Sequence, residues 1–550
     1  MQILSAAEMQ ACDRASTERF GVPSLELMRA ASTAVADFAR AQFPHARRVT
    51  VLCGLGNNGG DGMMAARRLA SAGLEVTTIL LGSPESLKGD AAEAWRELSS
   101  PAHGLIHVIH TAEELSRHKD ALETCLIVDA VVGTGFKPPL KGLALAALEW
   151  AKSSTAPVLA VDLPSGWPAD ETAASVNEPV FPADAAITFT APKPAHVFGQ
   201  LTRRRDQPVV VAPIGSPKEA IVSSLGVEWA GAALRLVQTP RTAAANKGSF
   251  GHVLVVGGSL GSAGGKTGAP AMAALAALRA GAGLVTAAVP APALPLVAAV
   301  APELMTWPLA PTAAGQIAAV NLAPDQVAAL SARKTVLAIG PGLGLSSETS
   351  KFARGLLEAT TMPAVIDADA LNILAARPEE LVKLAKGRTV VLTPHPGEMA
   401  RLARLSVAEV QAGRLEVAHR FAVHHGVTVV LKGSRTLIAH PDGRVAVNTT
   451  GNPGMAKGGS GDVLTGLVAG LLAQYPAEPA LAVEAAVYLH GLAADLAVRE
   501  SDEHTLLATD SLRQLARAFH FESRGRNGYV WLQGLPAQSS PAAAFREAAQ

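Results

Sequence analysis

At 550 residues the chain is longer than one compact core accommodates, so at least two domains are expected. Lysine plus arginine equals aspartate plus glutamate at 47 each and only 4% of residues are aromatic, which removes the basic field and the stacking platforms that nucleic-acid binding requires. Hydrophobic residues reach 49%, a share suited to parallel sheets under small-residue helices, and Cys12, Cys53 and Cys125 neither frame disulfides nor space like a zinc site.

The segment from Met1 to Phe20 mixes Glu8, Asp13, Arg14, Glu18 and Arg19 with apolar residues and reads as an amphipathic helix, not a secretory signal. Apolar runs such as Ala271 to Leu284 and Val463 to Leu472 are interrupted before bilayer length, so a soluble, cytoplasmic protein with no membrane partner is expected. From Arg48 to Val211, β-branched runs at Val49–Cys53, Val76–Leu81, Leu126–Val131, Val158–Asp162, Ala186–Thr190 and Pro208–Val211 alternate with helical stretches, which predicts a doubly wound parallel sheet.

Within that sheet, strand Val49–Cys53 runs into Gly54-Leu55-Gly56-Asn57-Asn58-Gly59-Gly60-Asp61-Gly62. Its first six residues fit the dinucleotide fingerprint GxGxxG, but Leu80-Leu81-Gly82-Ser83 stands where a ribose-binding acid belongs, and Asp61 would repel a bare phosphate. Two asparagine amides and a carboxylate beside a glycine turn suit a cation together with a polar ligand, or, more plainly, a capped glycine turn. Asp129 ends a second strand ahead of Gly133-Thr134-Gly135-Phe136-Lys137-Pro138-Pro139, and Asp162 ends a third ahead of Leu163-Pro164-Ser165-Gly166-Trp167. Taken singly each aspartate reads equally as a helix cap, but ligands of open α/β sheets bind outside the carboxyl ends of strands, so together the loops predict one crevice.

These segments, with Pro192-Lys193-Pro194 after them, resemble the NAD(P)H-hydrate epimerase domain over roughly residues 1–215. The resemblance implies that Asn57, Asn58, Gly59, Gly60 and Asp61, then Gly133, Thr134, Gly135, Phe136, Lys137, Pro138 and Pro139, and also Asp162, contact a hydrated dinucleotide. It further implies that Asn58, Asp129 and Ser165 hold a potassium ion. Inverting C6 of the hydrated ring needs an acid–base group, for which Asp162 is the first choice and Lys193 an electrostatic partner.

Residues 216–240, with Pro217 and Pro240, are expected to be a linker. A second α/β series follows over 241–520, with strands at His252–Val256, Leu284–Val289, Thr335–Ile339, Ala364–Asp367, Thr389–Leu392, Val427–Leu431 and Leu437–Ala439. Gly459-Ser460-Gly461-Asp462 opens an apolar helix, where close-approach glycines and unpaired N–H groups make an anion site, although Asp462 alone reads as an N-cap. Thr393-Pro394-His395-Pro396-Gly397-Glu398, Lys432-Gly433-Ser434-Arg435-Thr436, Gly340-Pro341-Gly342-Leu343-Gly344 and Asp367-Ala368-Asp369 close further strands.

This set resembles the ribokinase-like, ADP-dependent NAD(P)H-hydrate dehydratases over roughly residues 240–515. The resemblance implies that Lys432, Gly433, Ser434, Arg435, Thr436 and Gly461 bind an adenine nucleotide, that Ala269, Gly344, His395 and Asp462 face the hydrated dinucleotide, and that Asp462 is the base. ADP is then the co-substrate and Mg²⁺ accompanies it. The expected whole is an α/β protein of two domains, a Rossmann-like doubly wound parallel sheet followed by a ribokinase-like domain, acting on small molecules as a homo-oligomer. The tail 521–550, rich in Gly, Pro and Ser, is expected to be poorly ordered. A hydroxyethylthiazole-type kinase shares Gly459–Asp462 but has no use for Gly56–Gly62.

Overall fold

All six strands expected before residue 215 form, within a residue at each end, because their apolar runs are covered on both faces by helices. Leu126–Ala130, Val158–Val161 and Ala185–Phe189 are buried at every position. The structure, a computed structural model, describes residues 1–99, 104–262, 264–525 and 527–536. Among these the chain divides into two units, Met1–Leu225 with Glu522 onward, and Gly226–Phe521.

In the first unit the strands lie in the order Val530–Gln533, Val209–Ala212, Ala185–Phe189, Val158–Val161, Leu126–Ala130, Arg48–Cys53, Glu75–Leu81, Leu105–Ile109. All neighbours are parallel except the first pair. The segment Met1 to Phe20 supplies the expected helix, Ala6–Glu18, closed at its start by a Ser5–Glu8 capping box.

Two expectations about the chain's organisation are corrected. The stretch 216–240 is not a free linker, since Val227–Trp229 adds a strand to the second unit beside Val445–Val447. Trp229 drives this by burying its ring and donating from Nε1 to Thr449 Oγ1 at 2.9 Å. The tail 521–550 is ordered in part, because Val530–Gln533 pairs antiparallel with Val209–Ala212. Leu532 is 0% exposed there, the Tyr529 hydroxyl reaches the Ala34 carbonyl, and Trp531 meets Phe38 edge-on with centroids 6.1 Å apart. Residues 526 and 537–550 of that tail lie outside the described residues.

In the second unit the order is Met305–Leu309, Leu284–Pro290, His252–Val256, Val336–Ile339, Ala364–Ile366, Val390–Leu392, Thr428–Leu431, Leu437–Ala439, Val445–Val447, Val227–Trp229. The pairings of Leu437–Ala439 with both its neighbours are antiparallel. Helices Gly268–Arg279 and Ser460–Gln474 touch backbone to backbone, since a Cβ on Gly466 would stand 2.0 Å from the Ala273 carbonyl oxygen. That contact fixes the start of the second helix, where Asp462 sits. Helix Pro479–Val498 is, among the described residues, the one long and apolar enough to cross a bilayer, which the sequence reading overlooked. Its most apolar window is 83% buried, as in the core helix of a globular unit.

Ending the chain at Phe521 removes the Leu532 and Tyr529 packing of the first unit. Amide exchange at Val209–Ala212 is expected to accelerate by tenfold or more, on the order of 2 kcal/mol for loss of such buried groups, while Thr428–Leu431 exchanges unchanged. Exchange read by mass spectrometry checks it.

Candidate active sites

Three strand-end loops of the first unit meet around a cavity of about 780 Å³, a size that holds a nucleotide-sized ligand. Asn57 and Asn58 line it from the first turn of helix Asn57–Ser71 and Asp61 from the second, Gly133 to Phe136 from the loop after Leu126–Ala130, and Asp162 from the end of Val158–Val161. Lys193 reaches it from the turn before Pro194–Phe198.

Asp162 is 7% exposed and sits in the left-handed region at φ 66°. Its Oδ1 accepts from Lys193 Nζ at 2.7 Å and Thr188 Oγ1 at 2.8 Å, and its Oδ2 accepts from the Thr134 N–H at 3.0 Å and from the Thr134 hydroxyl. His196 holds the backbone beneath. Its Nδ1 accepts from the Lys193 N–H, so its Nε2–H donates to the Asp162 carbonyl at 2.8 Å. Burial and then Lys193 push His196 down to about 4, leaving it neutral near pH 7. Burial would raise the Asp162 carboxyl, but the Lys193 ammonium and the bonds from Lys193 and Thr134 outweigh it and hold the group well below the usual carboxylate range.

With four donors on its oxygens Asp162 is held as a buried anion. Asp61 is the opposite case, raised well above the ordinary range by burial and by Asp162 and Asp13, against which Lys193 does not prevail.

Asp129 is 0% exposed and accepts from the Ser165 N–H at 2.8 Å, the Ser165 hydroxyl at 2.6 Å and the Val131 N–H at 3.3 Å. Burial pushes it up to about 6 despite these bonds, and among the described residues no basic side chain pairs with it. Asn58 has a buried Nδ2 without a hydrogen-bond partner. A buried carboxylate with no counter-charge, bonded to the Ser165 hydroxyl, fits a monovalent cation.

The other expected residues divide. Gly59 and Gly60 are buried and do not line the cavity: Cβ atoms there would stand 1.9 Å from the Gly54 carbonyl oxygen and 2.7 Å from Met28 Cε. They allow the helix to pack, and Lys137, Pro138 and Pro139 are exposed outside the lining. The sequence reading missed Gln10, Asp13, Arg14 and Thr17, which the N-terminal helix adds to the cavity, and the support from Thr188 and His196. The only local hint was the alternation that turns Thr188 to one face of its strand.

In the second unit Asp462 lies in the first turn of helix Ser460–Gln474. Thr465, one turn on, donates to Asp367 Oδ2 at 2.7 Å, and Lys432 Nζ donates to Asp367 Oδ1 at 3.0 Å. Asp367 is 1% exposed, and Lys432 stands 3.9 Å from Glu398. Gly461 leaves room for that ammonium, 3.3 Å from where a Cβ would be. Asp369 accepts from the Gly344 N–H at 2.8 Å and from Lys266 Nζ at 3.2 Å. Burial first, then Asp367, pushes Asp462 up to about 6 against the pull of Lys432. The glycine-rich rim thus gathers Gly344, Lys432, Gly461 and Asp462, and Ala269 joins it beside Gly342.

Two expected side chains are otherwise engaged. Arg435 is 7% exposed and donates to the Thr449 carbonyl at 3.1 Å, so only its backbone is left for a nucleotide. His395 caps helix Pro396–Ala403, its Nδ1 accepting from Gly397 and Glu398, while its Nε2 lies 3.4 Å from Glu398 Oε1. Gly433 and Ser434 are exposed, and Thr436 bonds back to Gly433. Asp367, Glu398 and Thr465 were not read as site residues from the sequence.

A family model described as NAD(P)H-hydrate dehydratase matches residues 253–517, and one described as the YjeF-related protein N-terminus matches residues 24–195. The bifunctional NAD(P)H-hydrate repair enzyme of Moorella thermoacetica is 40% identical over 525 residues, covering 93% of this chain and 95% of that protein. The chain belongs to the bifunctional NAD(P)H-hydrate repair enzyme family. Another member, from Escherichia coli, is 35% identical over 535 residues, with 95% of each chain covered. Among solved structures, the ADP/ATP-dependent NAD(P)H-hydrate dehydratase from Bacillus subtilis, co-crystallised with ATP and Mg²⁺, is 33% identical. It matches 52% of this chain and 96% of its own, with a TM-score of 0.43. In the family's two-part layout, the cavity of the first unit lies within the N-terminal match and the Asp462 rim within the dehydratase match.

Lys193→Met leaves Asp162 as an uncompensated buried anion, and a loss of about 3–5 kcal/mol at neutral pH is expected. In the native protein the folded carboxyl lies below its unfolded value, so its stabilisation is present above the unfolded value and is lost as pH falls through the folded one. The variant's carboxyl protonates at higher pH, so its deficit narrows towards acid. Urea titrations of both proteins across pH measure it.

Proposed function

We propose that the first unit interconverts the R and S hydrates of NADH and NADPH at C6 and that the second dehydrates the S hydrate to NAD(P)H, converting ADP to AMP and phosphate. The chain is an isomerase and an ADP-dependent lyase in one. The observation that carries the assignment of sites is the pairing, in each unit, of a buried strand-end Asp–Lys bridge with a neighbouring carboxyl whose proton is held more tightly than usual.

In the first unit the anion of Asp162, fixed by Lys193, faces the ring and stabilises positive charge that develops as the C6–O bond weakens. The peptide N–H groups that begin helix Asn57–Ser71 receive the pyrophosphate. Asn58, Asp129 and Ser165 would hold K⁺, which supplies positive charge beside the phosphates when bound.

In the second unit Asp462 removes the proton of the C6 hydroxyl as that oxygen attacks the terminal phosphoryl of ADP. Its value of about 6 leaves it ionised at pH 7 yet basic enough to accept the proton. Lys432 and the N–H groups at the start of helix Ser460–Gln474 hold the charge that spreads over the phosphoryl oxygens. The ring nitrogen lone pair then expels phosphate to leave the C6–N1 iminium, and loss of a proton from C5 returns the C–H electron pair to form the C5–C6 double bond of NAD(P)H. Among the described residues no cluster of three His, Cys, Asp or Glu stands ready for a metal, which fits Mg²⁺ arriving with the nucleotide's phosphates.

Hydrated NADH supplied as separate epimers with ADP, Mg²⁺ and K⁺ tests the reading, with recovery of reduced-nicotinamide absorbance as readout. Both epimers are expected to be repaired by the native chain. Asp462→Asn is expected to lower recovery by about 10²–10⁴-fold while the epimers still interconvert. Native recovery falls as pH drops through about 6, because the base must be ionised. Exchanging K⁺ for tetramethylammonium slows interconversion and leaves dehydration of the S hydrate unchanged. Recovery equal for Asp462→Asn and the native chain overturns the assignment.

A further inference from the structure

Both oxygens of Asp162 are taken by donors that hold it as an anion, so the proton is to be sought on another carboxyl of the cavity. Asp61 differs in each respect. It lines the same cavity from the second turn of helix Asn57–Ser71, and among the described residues no hydrogen bond or ion pair engages its carboxyl, so its oxygens are free for a ligand. Charged groups close in from every side: Asp13 on helix Ala6–Glu18, Asp90 on helix Gly89–Leu98, Asp162 and Lys193. Burial disfavours the charged form and three of these four repel a second anion, so the neutral acid is the state the site favours.

We propose that Asp61 is the catalytic acid of the epimerase, giving its proton to the C6 hydroxyl of the hydrated ring and recovering one when water returns. The inference rests on the epimerase reading above. The Asp61 proton goes to the C6 oxygen, the C6–O bond breaks with its electron pair leaving on water, and the ring nitrogen lone pair forms the C6–N1 double bond of an iminium. The fixed Asp162 anion balances that cation. Water then adds to the opposite face of C6, the π pair returns to N1, and the proton released by the adding water restores the Asp61 carboxyl. No electron is gained or lost, and one water leaves for each that enters. One carboxyl held protonated and one held ionised in a single cleft is the division that acid-assisted ionisation requires.

The test uses the full chain without ADP, so that dehydration is silent, and follows conversion of the purified R hydrate to S by chromatography across pH. Native kcat is expected to be highest where Asp61 is protonated and to fall as pH rises through its raised value. Asp61→Asn is expected to lose about 10²–10⁴-fold in kcat with KM within a few-fold, and to lose the pH dependence. Asp61→Glu, which restores an acid, is expected to recover part of the rate together with a pH limb. If the native chain interconverts the epimers and Asp61→Asn keeps both kcat and the pH profile, Asp61 is not the acid while the epimerase reading stands. An unchanged kcat with raised KM makes Asp61 a binding group only and equally overturns the proposal. If the native chain fails to interconvert the epimers, the epimerase reading itself falls.

Discussion

A lysine ammonium held against an aspartate buried at the end of a parallel strand is the contact on which both sites depend. In the first unit it is Lys193 on Asp162 at 2.7 Å, in the second Lys432 on Asp367 at 3.0 Å. Neither carboxylate is more than 7% exposed, so each would be costly without its partner. The effect reaches further than the pair. Burial first, and then the fixed carboxylate of each bridge against the pull of its lysine, makes a second anion nearby unfavourable, so Asp61 and Asp462 hold their protons more tightly. One unit uses the neighbour as an acid and the other as a base, the difference being how far each is raised.

Backbone packing places those carboxyls. Gly466 lets helix Ser460–Gln474 lie on helix Gly268–Arg279, and Thr465 ties the same helix to Asp367, so Asp462 is set by one close approach and one hydrogen bond. In the first unit Gly59 and Gly60 do the comparable work for the helix that carries Asp61. A glycine-rich loop here is therefore as much a packing device as a ligand cradle, and substituting these glycines is expected to move a carboxyl before it removes a contact.

How much was legible in the sequence follows from how local each feature is. Strand ends and their loops were readable because apolar runs, glycines and acids lie within a few residues of one another, as at Leu126–Ala130 followed by Gly133 to Phe136. Val530–Gln533 was not, since four residues in a polar tail become a strand only through Val209–Ala212, more than three hundred positions earlier. The place of Asp13 in the cavity depends likewise on how its helix packs. The contrast between Asp61 and Asp162 was not legible for the same reason: an aspartate's protonation is decided by partners such as Lys193, 31 residues away, that only the fold brings near. Arg435 shows the limit from the other side, a basic residue in a loop expected to bind nucleotide whose side chain is engaged by Thr449.

The central claim is that two carboxyls in one cleft are driven to opposite states, and carbon-13 spectra of aspartate-labelled protein, assigned with single Asp→Asn variants, test it most directly. The account predicts that Asp162 stays ionised well below the ordinary aspartate range while Asp61 remains protonated well above it. Asp61 and Asp162 titrating together at ordinary values would contradict it.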